Sequence, residues 1–315
     1  MRAFHMPAAG AAPILGDLPI PAVAPGQVLV KVKAAGLNPV DNFVAAGMMA
    51  DYFPHEYPLV LGRDAAGVVE AVGEGVDHVS VGDAVFGHIL FTPPVQAGTL
   101  AEYALMPATG LNVKPAGLDF VAAAALPLSS AAAIAVIDVV DPQPGQVVLI
   151  NGATGGVGSY AIQLLAARGV TVVATGTDAD RERLTKLGAT TVVDYTAGSV
   201  ADQVRAAYPD GVDGLVNLTG YSADDVPLAA VRAGGKVGTS TMAPDQDTLA
   251  AAGLTGASIA AQPVRETTGP LAEQAAAGTL TIDVDTVLPL EEAAAGLATL
   301  AAGTARGKIV VKVCD

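Results

Sequence analysis

The stretch that decides the fold of this chain is VLINGATGGVG, residues 148–158. Its apolar start is typical of a buried strand, and the small residues that follow allow a tight turn into a helix, predicted over residues 157–168. In such a turn the backbone N–H groups point at the pyrophosphate of a dinucleotide. Because a second apolar run follows at residues 171–174, the stretch predicts the first βαβ unit of a dinucleotide-binding domain.

The same alternation of helix and strand continues along the chain. The pattern predicts helices at residues 180–187, 201–207 and 223–231, strands at residues 191–193, 214–216 and 235–237, and an edge strand at residues 257–261. Apolar strands joined by helices indicate a parallel sheet that is covered on both faces.

The first part of the chain has a different texture, with short apolar runs separated by Gly and Pro. These runs predict strands at residues 27–34, 67–72, 83–86 and 101–106, and the C-terminal part predicts helices at 271–277 and 290–302 and a strand at 308–313. A length of 315 residues favours two domains. We therefore expect an α/β protein with a mostly-β domain, residues 1–121 and 267–315, and a doubly wound parallel-sheet domain, residues 122–266.

Charge and cysteine content restrict the partners and the compartment. A net charge of −15 with no run of Lys or Arg disfavours nucleic acid and anionic membranes. The single cysteine, Cys314, allows no disulfide framework within the chain, and the N-terminal residues do not resemble a signal peptide, so a cytoplasmic protein is expected. Residues 120–137 are uncharged, but their Ala-rich composition and Pro127 favour a buried helix over a membrane span.

The end of the second strand of the βαβ unit bears on which dinucleotide binds. An acidic residue about 20 positions after the central glycine would bind the ribose 2′-hydroxyl of NAD. That position is Thr175, and Thr175 to Thr177 can hydrogen-bond a phosphate, with Arg181 or Arg183 to neutralise it. These residues favour NADPH, although Asp178 or Asp180 would instead suit NAD. The candidate cofactor contacts are Ala153, Thr154, Gly155, Gly156, Val157, Gly158, Thr175, Thr177, Arg181, Tyr195, Thr219, Ser240 and Lys308.

Eight segments of the chain resemble the medium-chain dehydrogenase/reductase superfamily, and specifically its zinc-independent quinone oxidoreductase and enoyl reductase branch. They are AAGLNPVD at 34–41, PLVLGRDAAG at 58–67, VGDAV at 81–85, GTLAEY at 98–103, AALP at 124–127, LGA at 187–189 with Asp194-Tyr195, LPLEEA at 288–293 and RGK at 306–308. The resemblance implies a GroES-like β domain beside a Rossmann domain, hydride transfer from NADPH, and a homodimer formed by edge pairing of two Rossmann sheets.

The resemblance also indicates that no catalytic zinc is held. Zinc-dependent relatives place a cysteine at the position of Asn38, a histidine at that of Arg63 and a glutamate at that of Asp64. A catalytic zinc needs about three N, S or O donors. The histidines, interpreted as surface or loop residues, show no ligand-type spacing: His5, His55, His78 and His88.

The resemblance places Asn38 against the nicotinamide ribose or the substrate, and Asp41 as a residue that orders the loop or acts directly. For a quinone or an α,β-unsaturated carbonyl acceptor, the Asn38 amide could stabilise charge that develops on the carbonyl oxygen. Tyr52 and Tyr57 are candidate proton donors. A tyrosine and a threonine that the branch often carries are missing here, where Phe43, Met49 and the Ser129-Ser130 pair stand.

The acceptor itself is expected to be a small hydrophobic molecule. Residues 48–54 and 89–94 could line its pocket or only cover the β domain. Two alternatives remain open: an enoyl reductase of a polyketide or fatty-acyl pathway, and a low-turnover NADPH-binding sensor or partner protein.

Overall fold

Apolar runs separated by Gly and Pro form eight strands in the first part of the chain in the computed structural model, which describes residues 1–314. The strands and the two helices of this part are β1 Arg2–Met6, β2 Ile14–Asp17, β3 Gln27–Gly36, α1 Pro39–Ala45, β4 Leu59–Val60, β5 Asp64–Val72, β6 Ala84–His88, β7 Tyr103–Pro107, β8 Leu111–Val113 and α2 Phe120–Ala125. Antiparallel pairing joins β3 to β5 and β7, and β5 to β6. A small sheet has the order β2-β1-β4.

The middle of the chain alternates between strand and helix. Its elements are α3 Pro127–Val140, β9 Val147–Asn151, α4 Gly156–Ala167, β10 Thr171–Gly176, α5 Arg181–Leu187, β11 Thr191–Asp194, α6 Val200–Ala207, β12 Val212–Asn217, β13 Val231–Thr239, α7 Gln246–Ala251 and β14 Thr255–Ser258. The six strands are all parallel, in the order β11-β10-β9-β12-β13-β14. Because the chain order reverses between β9 and β12, their carboxyl ends form the switch point at which such sheets bind ligands.

The last part of the chain returns to the first sheet. It comprises α8 Arg265–Ala276, β15 Val284–Pro289, α9 Ala293–Ala301 and β16 Lys308–Lys312. Strand β16 lies between β15 and β3, which gives the order β15-β16-β3-β5-β6-β8, with β7 also paired to β3. The mostly antiparallel sheet of the first and last parts of the chain and the parallel sheet of the middle part confirm the predicted fold class.

The chain divides into two compact units, Met1–Ser129 with Pro263–Asp315 (unit 1) and Ser130–Gln262 (unit 2). Residues 122–129 and 263–266, which we expected in the parallel-sheet domain, therefore lie in unit 1. For residues 122–129 the reason is the packing of α2, whose Ala123, Ala124 and Ala125 are buried against β3 and β5. Gly36 permits this approach, because a Cβ there would lie 2.2 Å from the carbonyl oxygen of Ala124.

Each unit has its own apolar core. In unit 2, Leu149, Val173, Leu215 and Val237 are buried on four adjacent strands, as the continuous apolar runs predict. Burying each such side chain stabilises the fold by about 1.5–3 kcal/mol. In unit 1 the core follows β3, where Val28, Val30 and Val32 are fully buried in alternation with other side chains.

The helix predicted over residues 223–231 was wrong, and the buried helix predicted over residues 120–137 is divided in two. Residues 223–231 form two short 3₁₀ turns, Ala223–Asp225 and Leu228–Ala230, and Val231 already begins β13. Pro227 explains the interruption, because proline lacks the amide hydrogen that a helix needs and disfavours a helical residue before it. Residues 120–137 form part of two helices, since Pro127 starts a new one.

None of the helices within residues 1–314 has both the length and the apolar character that crossing a membrane demands.

Candidate functional site

The glycine-rich turn after β9 has the geometry of a cradle for a phosphate group. Gly152 adopts φ 85°, a conformation that glycine reaches without strain, and Gly155 caps the N-terminus of α4. A Cβ at Gly155 would meet only the carbonyl oxygen of Gly152, at 3.8 Å, so the space in front of this residue is open. The first-turn amides of α4 face a region that favours an anion.

Gly158 serves a different purpose in the same turn. A Cβ at this position would lie 2.5 Å from the carbonyl oxygen of Ala153, so only glycine lets α4 pack this closely on the turn. Ala153 and Thr154 are buried beneath the turn, and Val157 is half-buried. The predicted motif residues thus lie together, some open to a ligand and some needed for close packing.

Thr175 lies under the turn and holds its backbone. Its hydroxyl accepts a hydrogen bond from the amide of Gly152 at 3.0 Å and donates one to the carbonyl of Ile150 at 3.2 Å. The residue is buried, with 3% of its surface exposed. Thr175 therefore positions the turn from below, and its hydroxyl is already committed in a way that the sequence does not reveal.

The polar residues after β10 are also paired with one another. The hydroxyl and the amide of Thr177 both donate to Asp180, at 2.8 and 2.9 Å. Arg181 donates to Asp178 at 3.1 Å, and Arg183 donates to the carbonyl of Thr154 at 3.2 Å. Arg183 therefore contacts the glycine-rich turn after β9, whereas Arg181 pairs with Asp178 at the adjacent surface.

Asparagines that the sequence analysis missed end the two central strands. Asn151, at the end of β9, donates to the side chain of Asn217, at the end of β12, over 2.9 Å. Asn217 in turn donates to the hydroxyl of Thr239 at 3.2 Å. This buried ladder crosses the switch point and sets the starts of the two loops that carry Thr219 and Ser240, both of which are exposed. The sequence feature that could have revealed these two asparagines is a polar residue at the end of an apolar strand.

A cleft of about 520 Å³ opens beside this ladder in unit 2. Asn151, Ser199 at the start of α6, and the segment from Ala223 to Ala229 line it. Tyr195, after β11, is 44% exposed at the same unit's surface.

A second polar cluster lies in unit 1 around Asp64, which is fully buried. Its carboxylate pairs with His88 Nδ1 at 2.6 Å and accepts from the Asn38 amide at 2.9 Å. The Lys308 ammonium donates to Leu37 O at 2.8 Å and to Asn38 Oδ1 at 2.6 Å, and it lies 3.8 Å from Asp64. Burial lowers the pKa of Lys308, and the nearby carboxylates oppose that effect.

This arrangement changes the roles expected for two residues. The Asn38 amide is already bonded to Asp64 and, at 3.4 Å, to Gly36 O, so a direct contact with an acceptor oxygen would cost one of these bonds. Lys308 is buried in unit 1 and committed to oxygens there. The geometry suits both residues to positioning the start of α1.

Asp41 lies in the first turn of α1 and is fully buried. One carboxylate oxygen accepts from the Asn38 backbone amide at 2.8 Å, and the other has no hydrogen-bond partner among the described residues. Burial raises the pKa of Asp41 from 3.8 to about 7, against the backbone bond and the charge of Arg63. Near neutral pH this carboxyl group is therefore divided between its protonated and ionised forms.

Arg63 occupies an apolar part of unit 1. Its guanidinium lies 4.4 Å from the ring centroid of Phe91, which stacks on Phe53 at 5.1 Å. Arg63 also lines a cavity of about 360 Å³, bounded in part by Ile89 and Val95.

Phe53 and Phe91 pack against the core of unit 1, and Tyr52 is exposed. Tyr57 makes an edge contact with His55.

The interpretation of the histidines as surface or loop residues was wrong for two of the four. His5 lies on β1 and His88 on β6, and both are buried. His88 is buried because it pairs with Asp64, and the side chain of His5 bonds to the carbonyl of Ala3 at 3.1 Å. A hydrogen-bond partner makes a buried histidine acceptable, and the partner of His88 lies 24 positions away, where the sequence does not show it.

The side chains around Asp64 do not fit a catalytic zinc. Within residues 1–314, no group of three or more His, Cys, Asp and Glu side chains is arranged to hold a metal ion. Asp64 and His88 bond to each other, and the Lys308 ammonium beside them would repel a second cation. Cys314 is engaged elsewhere, with its thiol donating to Val32 O at 2.9 Å.

Comparison with known proteins gives two family matches. The Alcohol dehydrogenase GroES-like domain matches residues 24–116, and the Zinc-binding dehydrogenase family matches residues 187–311. The mitochondrial NAD(P)H oxidoreductase RTN4IP1 of Mus musculus is 36% identical over 199 residues, which cover 58% of this chain and 50% of that protein. The chain spans about half the length of the curated relatives it matches.

Solved structures match over the whole chain. The quinone oxidoreductase from Coxiella burnetii is 28% identical with a TM-score of 0.89, and the match covers 100% of this chain and 99% of that one. An NAD-dependent alcohol dehydrogenase is 31% identical with a TM-score of 0.87, and the match covers 100% of both chains. On these matches, together with the two sheets and the glycine-rich turn, the chain belongs to the medium-chain dehydrogenase/reductase superfamily.

Proposed function

We propose that this protein is a zinc-independent oxidoreductase that transfers a hydride from NADPH to a quinone or an α,β-unsaturated carbonyl compound. The observation that carries the proposal is the open cradle at Gly155, which lies at the switch point of a parallel sheet. The likeness to a quinone oxidoreductase over the whole chain supports the acceptor class. The pairing of Asp64 with His88, and the Lys308 ammonium beside them, do not fit a zinc ion and so support a reaction without zinc.

The cradle residues would hold the cofactor through backbone amides. Gly155, Gly156 and Val157 at the start of α4 would bind the pyrophosphate, and Thr219 and Ser240 would contact the cofactor from the loops after β12 and β13. When bound, the reduced nicotinamide supplies the hydride. The chain's own task is to orient the reactants and exclude water.

The residues at the end of β10 support the proposed preference for NADPH over NADH. Gly176 carries no carboxylate, and a Cβ there would lie 2.7 Å from Leu184 Cδ1, so an acidic side chain at this position would require Leu184 to move. Asp180 is buried and bonded to Thr177, so it is not available to a ribose hydroxyl. Arg183 lies beside the turn, 3.6 Å from Asp180, and would also pair with a 2′-phosphate, with Arg181 at the adjacent surface.

The acceptor's oxygen gains negative charge as the hydride adds, and a hydrogen-bond donor would stabilise it. Asn38 remains the proposed donor only if its amide leaves Gly36 or Asp64 in the reacting state. Asp41 would order α1 through the Asn38 amide. Tyr52, which is exposed, is the proposed source of the final proton, with solvent as the other source.

A second candidate function is an NADPH-binding protein with little turnover, and the committed Asn38 amide favours it. An enoyl reductase would use the same site with a different acceptor. Further expectations are that the protein acts in the cytoplasm and forms a homodimer through β14, which lies at the edge of its sheet.

The test is oxidation of NADPH and NADH, measured separately with 1,4-benzoquinone, 9,10-phenanthrenequinone and a conjugated enone, with and without a chelator. Turnover that prefers NADPH and survives chelation is expected. Activity that a chelator abolishes would overturn the zinc-independent proposal, and a preference for NADH would overturn the role given to Arg183. Cofactor binding without oxidation by any acceptor would leave the second candidate function.

A further inference from the structure

A buried arginine lines a cavity in unit 1 and lacks a full set of partners. Arg63 is only 2% exposed. Its Nη1 donates to Ala97 O at 3.2 Å, whereas its Nη2 has no hydrogen-bond partner among the described residues. The ring of Phe91 covers part of the guanidinium, 4.4 Å away. A buried donor left without an acceptor is costly, so something that accepts hydrogen bonds is expected at this position.

The charge of Arg63 is also incompletely balanced. No carboxylate within residues 1–314 forms an ion pair with it within 4.0 Å. Burial lowers its pKa to about 10, opposed by the charge of Asp41, so the guanidinium remains a cation at neutral pH. The nearby His55 responds to the same cation, since its pKa is lowered by burial and then by Arg63. A buried cation is stabilised far better by an anion than by a neutral acceptor.

The cavity that Arg63 lines has walls suited to an apolar molecule. It has a volume of about 360 Å³, and Ile89, Leu90, Val95 and Leu105 line it together with Pro93 and Pro94, while Gln27, Thr92 and Gln96 are its uncharged polar residues. This volume lies within the range of small-molecule sites, which combine mostly apolar walls with a few polar groups. A guanidinium presents a planar set of N–H donors that matches a carboxylate.

We propose that this cavity binds an apolar organic acid, whose carboxylate accepts hydrogen bonds from Arg63. Binding of the acid does not depend on the proposed reduction. Where the protein does both, its preferred acceptors are unsaturated carbonyl compounds that carry a carboxylate, a preference that rests on the proposed function. The competing explanation is that Asp41, whose second oxygen also lacks a partner, balances Arg63 through bridging solvent.

Benzoate and its neutral counterpart benzamide test the proposal by direct binding, measured calorimetrically on the full chain. The expected result is that benzoate binds the wild type about tenfold or more tightly than benzamide, since hydrogen bonds to charged groups contribute strongly. Arg63→Met should abolish this difference, and Arg63→Lys, which keeps the charge but loses the planar fork, should reduce it. The control is Arg168→Met, an exposed arginine of unit 2, which should bind both probes as the wild type does.

The proposal is overturned if the wild type binds neither probe, or binds both equally, or if Arg63→Met binds benzoate unchanged. Thermal unfolding of each variant shows whether it is folded, and Arg63→Lys carries the test should Arg63→Met fail to fold. Reduction of benzylideneacetone and of its para-carboxylate then connects the site to catalysis. The wild type should show a lower KM for the acid than for the neutral enone, and Arg63→Lys should lose this difference. Should the proposed reduction fail, neither enone is reduced while benzoate still binds.

Discussion

Asp64, His88 and Lys308 are ionisable side chains that unit 1 buries at short range from one another. The carboxylate lies 2.6 Å from the imidazole and 3.8 Å from the ammonium. The hydrogen bonds and close contacts among them offset the loss of hydration only while all are present, so removing one leaves a buried polar group without its partner. The cluster therefore ties the start of α1 to β5, β6 and β16 through side chains rather than through backbone pairing.

Asp41 is expected to make stability depend on pH in the direction opposite to an ordinary salt-bridged carboxylate. Its pKa is about 7 in the folded chain, against 3.8 ordinarily. Between these values the folded chain retains a proton that the unfolded chain has lost, so the free energy of unfolding falls as pH rises and levels off above about pH 7. Between about pH 5.5 and pH 8.5, the ionisation of this group alone should lower the free energy of unfolding by about 2 kcal/mol.

Asp41→Asn tests this expectation, because asparagine still offers an oxygen to the Asn38 amide and does not ionise. Urea unfolding of both proteins at several pH values should show the variant gaining about 2 kcal/mol on the wild type over that range. Parallel pH curves for the two proteins would mean that Asp41 titrates near its ordinary pKa.

Thr175→Val should weaken both the fold and cofactor binding. The substitution keeps the shape of the side chain but leaves the Gly152 amide without its acceptor beneath the turn. An unsatisfied buried donor costs about 1–3 kcal/mol, which urea unfolding measures, and the Kd for NADPH should rise as the turn loosens. Thr175→Ser retains the hydroxyl and is the matched control. Equal NADPH affinity in Thr175→Val and the wild type would show that Thr175 does not position the turn for cofactor binding.

At the scale of elements, the cofactor turn could be predicted from the sequence because its determinants are local. A strand, a run of small residues and a helix follow one another within residues 147–167. The cluster around Asp64 could not, since its bonds join residues up to 271 positions apart. The polar ladder from Asn151 to Thr239 was likewise hidden, because the register of three strands brings its members together.

Helix prediction failed where a proline interrupted an Ala-rich run. Residues 223–231 have helix-favouring composition, yet Pro227 divides them into two short turns. The resulting segment lines the cleft beside Asn151. An error in a single element thus concealed one wall of the candidate cofactor site.

Two glycines of the turn should separate cofactor binding from folding. Gly155→Ala places a methyl group in the open cradle, where its nearest neighbour is 3.8 Å away, so the fold should lose less than about 1 kcal/mol while the Kd for NADPH rises by about tenfold or more. Gly158→Ala would instead place its methyl 2.5 Å from Ala153 O and should lower the melting temperature as well. Calorimetric binding and thermal unfolding of both variants check this. Unchanged NADPH affinity in Gly155→Ala would remove the cradle from the proposed site.

At the scale of the whole molecule, unit 1 is built from two segments that the whole of unit 2 separates in sequence. Strand β16 lies within the first sheet, between β15 and β3, and not at its edge. Ile309, Val310 and Val311 are buried there, so the folding of unit 1 requires the C-terminal segment. Unit 2, by contrast, is a continuous stretch, Ser130–Gln262.

A charge placed on β16 should therefore disturb strands near the N-terminus. Val310 is fully buried and pairs with Gly36 of β3, whereas Lys312, two residues further on, is exposed and pairs with Ala34. Val310→Asp buries a carboxylate without a partner and should lower the free energy of unfolding by about 4 kcal/mol or more, while Lys312→Asp should change it by less than about 1 kcal/mol. Hydrogen exchange should accelerate in peptides from β3 and β5 for Val310→Asp alone. Acceleration confined to C-terminal peptides would show that β3 and β5 hold their structure without β16. The C-terminal segment would then be an addition to unit 1 and not a part of its core.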